Sequence, residues 1–202
     1  RVLPLTYRIG SETFIDNMNS PEEFHRFYQR LREGEMPTTS LVSTDQFLTA
    51  FESALRQGED VLYIGFSSAL SGTYNSARLA YEEMRERYPE RKIAAIDSTC
   101  ASLGQGLLVH QAALLKEQGK SFEEVVRWTE ENKRNVHHWF TVDDLHHLRR
   151  GGRLSGAAAA LGTFIHNKPV LFFNDEGRLV LHEKDRGRIR SIRTLVDHIE
   201  EF

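Results

Sequence analysis

The chain has 202 residues, and 26 Lys+Arg against 29 Asp+Glu give a formal net charge of −3. That length fits one or two domains, and 40% hydrophobic with 27% charged residues supplies an ordinary core without a basic or acidic bias toward nucleic acid. A single cysteine, Cys100, excludes an internal disulfide framework and fits a reducing, cytoplasmic compartment, and no apolar run approaches the roughly 18 residues of a membrane span.

The first residue is Arg1 rather than Met, which fits a fragment, a processed chain or a renumbered one, and no signal-peptide pattern follows it. Residues 2–5 read as a strand. Ser20-Pro21-Glu22-Glu23 is a capping box with proline at the first helical position, which opens a helix to about Arg32. Residues 37–43 form a loop rich in hydroxyls. Ser43 and Gln46 cap a second helix with Phe47, Phe51, Ala54 and Leu55 on one face and Gly58 as its stop. Residues 61–66 are a short continuous apolar run, the form of a strand covered on both faces. A helix over 72–88, a strand over 93–96 and a helix over 103–118 follow; Ser121 and Glu124 cap another over 122–135.

This alternation favours a parallel sheet with right-handed crossovers. After Asn135 the pattern changes: a strand over 139–142, a short helix over 143–150 and a helix over 157–165. Residues 169–173 and 178–182 then flank Asn174-Asp175-Glu176-Gly177 as an antiparallel hairpin, and a last helix covers 189–202. The expected fold is therefore α/β in two domains. Residues 1–135 form a parallel, doubly wound unit, and 136–202 begin a second α/β unit with antiparallel strands.

In an open parallel sheet, ligands sit beyond the carboxyl ends of the strands. Two segments there carry hydroxyls: Pro37-Thr38-Thr39-Ser40 and Ser67-Ser68-Ala69-Leu70-Ser71-Gly72-Thr73-Tyr74. Helix-end amides with hydroxyl donors make a site for a carboxylate or phosphate, although serine and threonine also serve as plain caps. Asp97, which opens the next strand-to-helix loop, is the wrong charge for an anion site. Gly65-Phe66-Ser67-Ser68-Ala69 approximates the elbow of serine hydrolases but has Ala69 where the turn wants glycine. Gly104-Gln105-Gly106 starts a dinucleotide fingerprint without its third glycine, and no phosphate-loop lysine is present. His137-His138 and His146-His147 can each give at most one ligand to a shared metal, so no metal site is expected. Arg149, Arg150 and Arg153 form one basic cluster. Lys184, Arg186, Arg188, Arg190 and Arg193 form another, either a solvated helix face or a dock for an acidic partner.

The two hydroxyl segments resemble the DegV family of bacterial fatty-acid-binding proteins. So do Asn75-Ser76-Ala77, Asp97-Ser98 with Gly104 and Gly106, and Val142-Asp143-Asp144-Leu145. Leu148 with Gly151-Gly152-Arg153-Leu154-Ser155-Gly156, Lys168-Pro169-Val170-Leu171 and Lys184-Asp185-Arg186 continue the likeness in the same order. The resemblance implies a two-domain protein, without a cofactor, that holds one long-chain fatty acid between its domains. It assigns the carboxylate to Thr39 and Ser71, with Ser40, Ser67, Ser68 and Gly72 as neighbours. It further implies a non-enzymatic carrier that presents the acid to a fatty-acid kinase, and makes Arg153 and Arg186 candidates for contact with that kinase or a membrane surface. Three departures stand out: the family's Asp-Ser loop before residue 2 and its C-terminal His-x-Gly-Pro-Gly region are missing, and Leu41-Val42 replaces Gln-Pro. Two competing readings are a serine hydrolase using Ser67, and an interaction module with a collapsed, lipid-free cleft.

Overall fold

Strand-forming Thr, Tyr, Ile and Phe residues flank Gly10-Ser11, and they pair as a tight hairpin of β1 (Thr6–Ile9) and β2 (Glu12–Ile15) in the computed structural model, which describes residues 1–17, 20–143, 145–154 and 167–199. Gly10 holds φ +60°, the first-position glycine of a two-residue hairpin turn. The strand expected at residues 2–5 thus begins only at Thr6. Pro4 has no N–H for a ladder and leaves the segment before it unpaired. The hydroxyl loop expected over 37–43 likewise contains a strand, β3 (Thr38–Ser40), antiparallel to β1 with Tyr7 opposite Thr39.

Helix α1 (Pro21–Arg32) has the expected capping box: Ser20 Oγ accepts from the Glu23 amide, and the Glu23 carboxylate accepts from the Ser20 amide. Reciprocal boxes also open α2 (Thr44–Leu55), from Ser43 and Gln46, and α5 (Phe122–Asn132), from Ser121 and Glu124. Strands β4 (Val61–Gly65) and β5 (Ile93–Asp97) form a parallel pair, with α3 (Thr73–Arg87) as the crossover and α4 (Ser102–Glu117) after β5. Phe47, Phe51 and Leu55 from α2 bury against Ala77, Ala80 and Met84 of α3 and Ile93 of β5. Each fully buried side chain of the size of Phe47 contributes about 1.5–3 kcal/mol by leaving water.

The α/β class is as expected, and the first part is mixed rather than wholly parallel: among the described residues its parallel sheet has two strands, beside the antiparallel sheet β2-β1-β3. A third sheet, order β6-β7-β8, is antiparallel and consists of β6 (Trp139–Thr141), β7 (Asn167–Phe173) and β8 (Leu179–Arg186). Between β6 and β7 lies α6 (His146–Arg150), and α7 (Arg188–Asp197) follows β8. The hairpin read at Asn174-Asp175-Glu176-Gly177 is present. The basic cluster, by contrast, is not one helix face: Lys184 and Arg186 stand on β8, whereas Arg188, Arg190 and Arg193 stand on α7. The helix expected over 157–165 lies outside the described residues.

Candidate functional site

The loop after β4 is organised around Ser67, which has no exposed surface. Its carbonyl accepts from the amides of Leu70 (3.1 Å) and Ser71 (3.2 Å), so the chain coils into α3. Its amide donates to the Cys100 carbonyl at 2.8 Å, and its hydroxyl donates to the Gly177 carbonyl at 2.8 Å. Ser67 therefore joins the β4 loop, the β5 loop and the β7–β8 turn. Gly177 holds φ +73°, and a Cβ there would stand 2.3 Å from Ser67 Oγ, so only glycine lets the turn seat this closely. Because the one hydroxyl hydrogen of Ser67 is engaged by a backbone carbonyl in a buried joint, the hydrolase reading, which needs an exposed hydroxyl facing a base, is not what this geometry builds.

Ser71 lies one residue before the N-cap Gly72; its Oγ accepts from the Thr73 amide at 3.2 Å and shares a hydrogen bond with Thr73 Oγ1 at 3.0 Å. Gly72 in turn brings in the other hydroxyl segment: a Cβ on it would meet Leu41 Cδ2 at 3.2 Å, so the chain just after β3 rests on the start of α3. Thr39 and Ser71 consequently line one cavity of about 640 Å³, within the range usual for small-molecule sites. Ser40, one residue on from Thr39 and so on the other face of β3, does not line it, nor do Ser67, Ser68 and Gly72.

The cavity wall is largely apolar, with Leu3, Leu5, Val42, Phe47, Leu62 and Ile64 among its residues, and Gln105 and Arg153 add polar groups. Residues 2–5, expected as a strand, serve as wall instead. Arg153, the partner-contact candidate, is exposed, and it donates from Nε to the Leu70 carbonyl at 3.2 Å, which sets its guanidinium beside the Ser71 loop. Arg186 stands exposed on β8, away from this wall. Asp97 is less hostile to an anion than its position suggested, because its carboxylate accepts from the Ser68 amide (3.2 Å) and the Thr99 amide (3.0 Å). Burial, helped by Asp97, pushes the Tyr63 phenol in the wall up to about 12, so it stays a neutral hydroxyl.

Gly104 is explained without a nucleotide. The His138 ring occupies the space where its side chain would be, with Nε2 1.6 Å from the ideal Cβ position. Burial, then the neighbouring His137, lowers the His138 pKa from its usual value. Gln105 donates to the Ile64 carbonyl at 3.1 Å and so tethers α4 to β4 at the cavity.

The family model described as "Uncharacterised protein, DegV family" matches residues 1–202. The chain belongs to the DegV family. A DegV domain-containing protein of Clostridium perfringens is 48% identical over 199 residues, which are 98% of this chain and 68% of that protein. Among solved structures, a DegV family protein from Thermus thermophilus, described by its fatty acid binding, superposes with a TM-score of 0.85 at 35% identity, covering 100% of this chain and 69% of that one. The fatty acid kinase B3 protein of Streptococcus pneumoniae, loaded with linoleic acid, superposes with a TM-score of 0.85 at 28% identity over 98% of this DegV chain and 69% of its own. Among the described residues, no helix of this DegV protein is long and apolar enough to cross a membrane.

Proposed function

We propose that this chain binds one long-chain fatty acid, its carboxylate held by Thr39 and Ser71 and its acyl chain laid along the apolar wall. The observation that carries the reading is that two hydroxyl residues from separate segments line the same largely apolar cavity. Such a cavity matches an amphiphile, and donors at its wall meet the requirement that a buried carboxylate be hydrogen-bonded. Arg153 adds a cation beside the Ser71 loop; Ser67, Ser68 and Gly72 belong to the loop that carries Ser71, and Ser40 adjoins Thr39 on β3. Residues 1–135 and 136–202 act as two units in this reading, with Arg153 reaching in from the second. The fatty acid binding described for the Thermus protein and the linoleic acid held by the Streptococcus protein support it.

The protein serves as a cytoplasmic carrier rather than an enzyme, and presents the acid to a fatty-acid kinase that forms the acyl phosphate. Arg186 contacts that kinase or the membrane surface. Mass spectrometry of the organic extract from purified protein tests the binding step, with a stoichiometric fatty acid as the expected result. Thr39→Ala and Ser71→Ala each remove a hydrogen bond to a charged group, worth about 1.5–3 kcal/mol, so each weakens binding roughly tenfold or more. Unchanged affinity in the double variant would move the carboxylate elsewhere. A protein that arrives empty and takes up neither palmitate nor oleate would defeat the reading itself.

A further inference from the structure

Away from the cavity, the third sheet gathers a second set of chemically able side chains. Ligand atoms of His182, Glu183 and His198 all lie within 4.8 Å of one another. Neighbours on a regular strand project to opposite faces, so His182 and Glu183 would not ordinarily meet at one point. A β-bulge changes that. Val170 pairs with Glu183 but Leu171 pairs with Leu181, which leaves His182 as the extra residue on β8, and a bulge re-aims the side chain it carries. His198 comes from the end of α7, only 8% exposed, with its ring stacked on Trp139 at 3.7 Å between centroids. Its Nε2 lies 3.9 Å from Glu183 Oε1, and the His182 ring stands edge-on to both Trp139 and His198 at 4.9 Å.

We propose that His182, Glu183 and His198 form a binding site for a divalent cation of the zinc type, which clips the bulge of β8 to the end of α7. Two imidazoles and one carboxylate favour zinc over calcium or magnesium, which prefer all-oxygen sites, and three protein ligands leave a fourth position for water. Metal–ligand distances near 2.0–2.2 Å require the three atoms to draw together. His182 and Glu183 are exposed and already face the imidazole that Trp139 holds, so small side-chain adjustments bring their ligand atoms toward it. None of the three residues lines the cavity, so the site stands or falls independently of fatty-acid binding.

Isothermal titration of metal-free protein with ZnCl2 tests the proposal. One site per chain is expected, and His182→Ala and Glu183→Gln, both on exposed side chains, each weaken it at least about tenfold. His25→Ala, an exposed histidine on α1, leaves the affinity unchanged. Zinc also raises the melting temperature of the unaltered protein more than that of His182→Ala, because the ion binds the folded state through this site. Absence of zinc binding overturns the proposal. So does binding that His182→Ala and Glu183→Gln leave within about twofold, or that His25→Ala weakens equally.

Discussion

Gly177→Ala probes whether the β7–β8 turn and the Ser67 loop form one packed joint. The added Cβ would stand 2.3 Å from Ser67 Oγ, 2.9 Å from Thr99 Cα and 3.0 Å from the Thr99 carbonyl oxygen. Rotating Ser67 relieves the first contact but gives up its hydrogen bond to Gly177, while the two Thr99 contacts are to backbone and cannot rotate away. The left-handed φ of +73° costs alanine about 1–2 kcal/mol, and overpacking of this kind costs about 1–3 kcal/mol more. The sum is about 2–5 kcal/mol. Gly119→Ala is the matched control, since Gly119 has φ +82° with nothing within 4 Å and bears only the conformational part. Urea unfolding followed by tryptophan fluorescence, with equal m-values as the check on two-state behaviour, measures both. Gly177→Ala is expected to lose at least about 1 kcal/mol more than Gly119→Ala, and adding Ser67→Ala recovers only part of it because Thr99 remains. Equal losses at the two glycines would refute the joint.

Gly104→Ala forces the His138 ring out of its place, and Gly104→Ala combined with His138→Ala is expected to unfold at higher urea than Gly104→Ala alone. Because burial lowers the His138 pKa from 6.5, the unfolded chain binds this proton more readily than the folded one. Stability is therefore full above about pH 6.5 and falls as pH drops below it. The acid-side slope of melting temperature against pH is expected to be shallower in His138→Leu, and an unchanged slope counts against the assignment. Cys100, 2% exposed and with its thiol pushed by burial to about 11, is expected to resist a disulfide reagent in native buffer and react fully in denaturant. Fast native reaction would mean that the β5–α4 loop opens readily.

Local chemistry made much of the fold readable. The three capping boxes lie where Ser-x-x-Glu or Ser-x-x-Gln spacing put them, because the reciprocal hydrogen bonds involve only residues three apart. The β7–β8 hairpin was equally legible from its turn. Strand β3 was not, since Thr38–Ser40 is recruited by β1 from a distant part of the chain and its residues also suit a loop. Lys184 and Arg186 looked helical by charge alone because the bulge at His182 breaks the alternation that marks a strand. At the site, the two hydroxyl segments could be picked out from composition, and the family resemblance singled out Thr39 and Ser71 within them. The place of Arg153 at the cavity, the wall at residues 2–5 and the packing role of Gly104 depend on tertiary neighbours that no spacing rule encodes.

Helix α1 has no fully buried residue; it leans on the hairpin through the edge of Phe27 on Tyr7, at 5.2 Å, and through Arg30, which bridges Glu12 and Glu35. In the sheet beneath it, only Ile9 is fully buried. Thr39 therefore belongs to a thinly anchored unit, whereas Ser71 belongs to the loop that Ser67 fastens to two neighbouring segments. The two jaws of the proposed carboxylate clamp are anchored differently: one is an anvil set into the core, the other a spring leaf on a small sheet. Amide exchange will be faster at β1–β3 than at the α3 entrance. A ligand that bridges the jaws will quieten the leaf far more than the anvil.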